Sequence, residues 1–266
     1  MFKLLGKIIS LVIILVILIP VFVLAYLGFI PGLSSLFGAN KPRDLGIKFT
    51  EADRISGRGK SQIEYGEISG SVSEADSWQT SGSRPVKTEF SNAEATAIMN
   101  NKPGKYFPYK NVQLKFNADG SGEISGTLIK NRIPLYAATF DAPKVAVDLV
   151  MKFLPENPVF YLKGQASLKD NRVALFQPQR LEIGRLPVPL GPILSFAPIK
   201  IKKALALDIG EFNKELSKVS NKKTLIIDFI NSRLAMIEGF FAQSAYFEEN
   251  KLVFEGNLPE KEVTVR

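Results

Sequence analysis

Three short stretches carry residue types that do chemistry in other settings. Ser220-Asn221-Lys222-Lys223 has the S-x-x-K spacing of acyl-enzyme nucleophiles, which puts a lysine one helical turn from a serine hydroxyl. The companion S-D-N and K-T-G elements are missing, because Lys223-Thr224 runs on into Leu225. Ser220 therefore reads as the N-cap of the helix that follows. Gly59-Lys60-Ser61 has the ending of a phosphate-binding loop, but that motif needs a glycine at position 54, where this chain has Arg54. Asn117-Ala118-Asp119-Gly120 lacks the dense carboxylate run of a calcium loop and reads as a plain turn. Of the remaining carboxylates, Glu248-Glu249 sits beside a turn, and Glu260 and Glu262 lie in the tail, where solvated charge is the default. The chain has no cysteine and no histidine, which removes thiol nucleophiles, disulfides, zinc sites and every histidine-based acid–base arrangement. No catalytic residue, metal ligand or cofactor is assigned on this basis, and the chain is expected not to be an enzyme.

The apolar residues are more informative. Val145, Leu149 and Phe153 recur at i, i+4 and i+8 over residues 141–154. Leu225, Ile226, Phe229, Ile230, Leu234 and Ile237 mark one side of a helix over about 223–237. Leu149, Phe153, Leu225 and Phe229 are the candidates for lining an apolar ligand groove. The same spacing serves an ordinary core, the commoner outcome, since a lipid tail and a leucine side chain present the same surface.

Those residues need elements to hold them, and the pattern supplies helix followed by hairpin three times. Thr50-Glu51-Ala52-Asp53 and Ser91-Asn92-Ala93-Glu94 have the form of helix N-termini with an acid at the third position. After the second of these comes KNVQLKFNADGSGEISGTLIK, in which Val112, Leu114 and Phe116 alternate up to Asp119-Gly120 and Ile124, Gly126 and Leu128 alternate away from it. The helix over 141–154 has Asp141 as its expected cap, Pro143 in its first turn and Pro155 as its stop. Strands turning near Asp170-Asn171 follow. A strand over 199–209, a short helix over 211–219, the helix over 223–237 and strands turning near Asn250-Lys251 complete the run. Residues 77–85, SWQTSGSRP, have loop composition and hold the single tryptophan, Trp78. The fold class expected is α+β: a long, curved antiparallel sheet with amphipathic helices on its apolar face.

In front of this lies IISLVIILVILIPVFVLAYLGFI, residues 8–30, in which 18 of 23 residues are Leu, Ile, Val or Phe. A helix of that length rises about 35 Å, enough for a hydrocarbon layer of about 30 Å. The run is too long, and lacks the small-residue site, for a cleaved signal peptide. Lys3 and Lys7 are the only charges before Lys41, so the bias of basic residues predicts a cytoplasmic N-terminus. The organisation expected is a transmembrane signal-anchor over 1–30, a Pro-, Gly- and Ser-rich stalk over 31–45 and an extracytoplasmic domain over 46–266. The net charge of +8 is spread along the chain, with one short cluster at Lys200, Lys202 and Lys203. It carries no basic helix or aromatic signature of nucleic-acid binding.

The anchor, FSNAEATAIMN, VQLKFNADGSGEISGTL, and IIDFINSRL leading into AYFEENKLVFEGNLP together resemble extracytoplasmic bacterial proteins of the YpmS-like and LmeA-like kind, related to the tubular lipid-binding superfamily. The resemblance covers roughly residues 45–266. It implies a long curved sheet wrapped around a helix, with a hydrophobic channel for lipid, and it supplies no catalytic residues. A single-pass membrane protein that holds a lipid or lipid-linked molecule is the expectation. An envelope interaction module with a closed core and a protein partner is the alternative.

Overall fold

The computed structural model describes residues 18–102, 106–142, 144–187 and 222–265. The expected strand over 199–209, the helix over 211–219 and the Ser220 cap lie outside these residues, as do residues 8–17 of the apolar N-terminal run. Residues 18–27 are helical (α1). Among the described residues, no helix is long and apolar enough to cross a membrane.

The body is α+β, with a curled antiparallel half-barrel at its centre. Strands β3 (Arg84–Ser91), β4 (Tyr109–Phe116), β5 (Ser121–Leu128), β6 (Val159–Lys169), β7 (Arg172–Ile183), the short β8 (Leu186–Pro187), β9 (Phe241–Glu248) and β10 (Lys251–Leu258) form an eight-stranded sheet, in which β3, β10, β9, β6, β5 and β4 are successive neighbours. The three expected hairpins turn at Asp119-Gly120, Asp170-Asn171 and Asn250, and Asp170, Asn171 and Asn250 take the left-handed backbone that such tight turns need. Strand β6 is the pivot. Strand β7 pairs with it along almost its whole length, so its other edge serves both β5, over Val159–Gln165, and β9, at Leu168 and Lys169. The sheet divides there and curls. The tips of the two diverging hairpins meet again where Asn250 N–H donates to the Phe116 carbonyl at 2.9 Å.

A second sheet departs from the expected loop and solvated tail. Residues 77–85 supply β2 (Trp78–Ser81) and the start of β3, and β11 (Lys261–Val265) lies between β2 and β1 (Glu64–Ile68). Loop composition misled here because Gln79, Thr80, Ser81 and Ser83 are polar on an edge strand and its turn, where no core has to be satisfied. Trp78 packs its ring 5.7 Å from Phe140. The tail is likewise a strand: it alternates Val263 and Val265 with Glu262 and Thr264, and it is the polar pair that is buried, the reverse of the usual reading.

Helices cover the curl. Helix α3 (Glu51–Ser61) and α4 (Asn92–Asn100) both start with the expected capping boxes, on Thr50/Asp53 and Ser91/Glu94. Gly59-Lys60-Ser61 forms the last turn of α3, not a phosphate loop. Helix α4 also does a strand's work. Asn92 Oδ1 accepts from Phe116 N–H at 2.8 Å, Thr96 Oγ1 from Leu114 N–H at 2.9 Å and Asn100 Oδ1 from Val112 N–H at 2.9 Å. Four helical residues rise about 6.0 Å and two strand residues about 6.6 Å, so the two repeats keep step over three bonds. A polar stripe on the helix thereby satisfies the free edge of β4.

Helix α6 (Lys144–Phe153) begins later than expected, because Asp141 has φ +46 and Asp141-Ala142 close the unforeseen α5 (Ile133–Thr139) instead of capping α6. The longer helix α7 (Lys222–Met236) matches its expected span within a residue and docks on β7, with Asn231 Oδ1 accepting from Val173 N–H at 2.8 Å. The expected stalk contains α2 (Pro31–Leu36) and is seated on the body: Arg43 forms a two-bond fork with Glu182 of β7 at 2.8 and 2.9 Å. The Gln113 side chain accepts from Leu45 N–H at 2.7 Å.

Candidate functional site

The alternation of β10 sends Leu252, Phe254 and Leu258 to the concave face of the sheet, and their neighbours send Phe90, Ala245, Phe247, Leu114 and Phe116 to the same side. From β6 and β7 come Ala166, Leu168, Val173, Leu175 and Phe176. The roof is Ala95, Ile98 and Met99 of α4, with Ile230 of α7 on another side. Between roof and floor these side chains leave an apolar cavity of about 610 Å³. Two buried clusters pack against it, one of Val86, Ala242, Ala245 and Phe254 within the sheet and one of Phe90, Ala95 and Phe116 that joins sheet to roof. In the second, the rings of Phe116 and Phe247 stack at 5.1 Å. A further hollow of about 160 Å³ shares Leu114, Phe116, Ala166, Phe176 and Phe247 with the main cavity and extends it to Ile124 and Leu162, beside the division of the sheet. Glycine lets the wall of this extension pack closely: a Cβ on Gly122 would stand 2.8 Å from the Phe247 ring, and one on Gly164 would stand 2.8 Å from the Gln177 carbonyl.

Polar groups reach the cavity mainly at one place. Lys102, just past the C-terminus of α4, donates to both oxygens of Glu262 on β11 at 3.1 and 3.3 Å. Glu262 is 5% exposed. The Lys102 ammonium also lies 4.4 Å from the centre of the Phe107 ring, a favourable cation–π position. Tyr65 is Glu262's partner across the β1–β11 ladder, and burial, with the Glu262 charge adding to it, pushes its phenol well above the ordinary tyrosine range. The Phe116–Phe247 stack lies instead by the N-terminal end of α4, since Phe116 is bonded to Asn92. The nine-residue helix is about 14 Å long, so the cavity has a charged end and an apolar end.

A different buried carboxylate belongs to the scaffold. Glu182 is fully buried and takes hydrogen bonds from both Arg43 and Arg180, and Arg43 also stacks on the Tyr161 ring at 5.0 Å. Hydrogen bonding to Glu182 raises the Arg43 guanidinium further above its usual range. At the α3–α4 contact Glu94 accepts from Ser56, Lys60 and Ser91 N–H. Burial works to raise its carboxyl, but the bonds from Lys60, Ser56 and Ser91 outweigh it and hold Glu94 below the usual carboxylate range.

Of the groove residues expected from the sequence, Phe229 is 43% exposed, with the Arg233 guanidinium 4.9 Å from its ring centre. Among the described residues, its neighbour Ile230 is the α7 residue on the cavity. The backbone of Leu149 and Phe153 lies in α6 and that of Leu225 in α7, while their side chains fall outside the described residues. Sequence reading passed over the strand contributions, although the Leu252, Phe254, Leu258 alternation marks them. It had no signal for Lys102 and Glu262, which meet across 160 positions. Among the described residues, no three aspartates or glutamates gather in a way that could hold a metal ion. No protein-family model, characterised protein or solved structure matches the chain.

Proposed function

We propose that this protein binds a lipid or lipid-linked molecule in the cavity between half-barrel and helices, without catalysing a reaction on it. The observation that carries the reading is a large, almost wholly apolar cavity where an interaction module would have a filled core. At about 610 Å³ the cavity lies in the usual size range of ligand pockets, about 300–1,000 Å³, room enough for one acyl chain. Each methylene moved from water to such a wall contributes about 0.8 kcal/mol, which makes burial of the tail the driving force.

The apolar run over 8–30 would hold the domain at the outer face of a membrane, with the N-terminus in the cytoplasm. Leu18, Ile19, Phe22, Val23 and Leu24 are exposed on α1, an apolar surface that a bilayer would cover. The Arg185 N–H donates to the Tyr26 carbonyl at 2.9 Å, so the end of α1 is tied to the body rather than tethered loosely. A reporter fused to either terminus reads this topology, and an extracytoplasmic N-terminus would overturn it.

The test of ligand binding is native mass spectrometry of the full chain released from lipid nanodiscs, followed by extraction. One co-purifying lipid per chain is expected, and its loss in Ala166→Phe, which fills the floor. A chain that leaves the disc bare and takes up no added lipid contradicts the reading.

A further inference from the structure

The charged end of the cavity has a composition that restricts what head group it can accept. The Lys102–Glu262 pair is neutral as a whole, with both groups on the cavity wall and the carboxylate almost fully buried. A carboxylate or phosphate that approached Lys102 would meet Glu262 about 3 Å behind it, in a setting where water screens poorly. A cationic head would meet Lys102 in the same way. A hydroxyl suits both members at once, because its oxygen accepts a hydrogen bond from the ammonium and its O–H donates one to the carboxylate, leaving the pair intact. The neighbouring polar groups on this stretch of wall, the Tyr65 phenol and the Ser61 hydroxyl, are themselves uncharged, and the Arg58 guanidinium, 5.0 Å from the Tyr65 ring centre, is not among the lining residues.

From this geometry we infer that Lys102 and Glu262 form the head-group site and select a single-chain lipid whose head is uncharged and bears hydroxyls, as in a monoacylglycerol, over a fatty acid or lysophospholipid of the same chain. The inference rests on the cavity being a lipid site. It adds a direction: head at Lys102–Glu262, tail toward the Phe116–Phe247 stack.

The experiment uses the full chain in nanodiscs of saturated phosphatidylcholine, with a diazirine-tagged monooleoylglycerol as the photo-probe. Unlabelled monooleoylglycerol, oleic acid and oleoyl lysophosphatidate compete for labelling. Monooleoylglycerol is expected to compete about tenfold or more better than either acidic lipid, the factor that corresponds to about 1.4 kcal/mol. Glu262→Gln is expected to invert this order, because it frees the Lys102 charge for an anion while leaving the apolar wall in place. An inversion is not what general loosening of the fold would produce. Lys102→Met, as a second variant, should lose the preference for monooleoylglycerol. Equal or better competition by oleic acid in the unaltered chain overturns the head-group assignment and leaves lipid binding standing. Absence of labelling at cavity residues by any probe removes both.

Discussion

Two buried carboxylates, Glu182 and Glu262, sit in this fold on opposite terms. Glu182 is held by two arginines and lines neither hollow described above, so its hydrogen bonds go to Arg180 of its own strand and to Arg43 of the segment seated on it. Among the described residues Glu262 is paired with one cation, Lys102, and both line an apolar cavity. A saturated ion cluster fixes chain to chain, and here it seats the segment after α1 on β7. A one-to-one pair at the end of a cavity keeps lone pairs and protons available to a third group. Burial of charge alone therefore does not separate scaffold from site; the number of partners and the space in front of them do.

The strongest way to break the comparison is to strip Glu182 of its partners. Arg43→Ala with Arg180→Ala leaves a carboxylate in the interior without a cation, and a loss of about 3–5 kcal/mol is expected in chemical denaturation. Lys102→Met orphans Glu262 in the same formal sense, but the cavity beside it has room for water. The expected loss is smaller, about 1–3 kcal/mol, and is accompanied by a change in ligand preference that the arginine variants should not show. Equal losses for the two would mean that Glu262 is scaffold as well.

The edge of β4 sharpens the contrast from the helix side. Thr96→Val keeps the shape of a buried side chain and removes the oxygen that accepts from Leu114 N–H. A cost of about 1–3 kcal/mol is expected, with faster hydrogen exchange at Leu114 and little change at Val173. The smallest effect is expected from acid. The Glu94 carboxyl is held below its ordinary value in the folded state, so its contribution is fully present above the unfolded value near pH 4.3. It is lost as pH falls through the lower folded value, as the linkage relation requires. Glu94→Gln should flatten that part of the stability–pH curve, and an unchanged curve would show that other carboxylates dominate acid unfolding.

Much of this framework could be seen in the sequence because it obeys local rules. The two capping boxes, the three hairpin turns and the span of α7 each depend on a few neighbouring residues, and each is found where those residues place it. What escaped were features made by distant partners. Strand β11 alternates Val263 and Val265 with Glu262 and Thr264, but the polar pair is the buried one, so the alternation points to the wrong face. The Asn92, Thr96, Asn100 stripe looks like a solvent face until β4 arrives beside it. Phe229 was a reasonable groove candidate by period alone, but a shift of one residue on a helix is about 100°. That rotation decides whether Phe229 or Ile230 faces the cavity.

The most direct measurement is an isotope-filtered NOE experiment on the full chain in nanodiscs, with labelled monooleoylglycerol and methyl-labelled isoleucine, leucine and methionine. Glycerol protons should contact the Met99 methyl, next to Lys102, and the terminal chain methyl should contact Leu252, beside Phe247. The reverse order would contradict the head-group assignment, and no contact with either residue would contradict a lipid in this cavity.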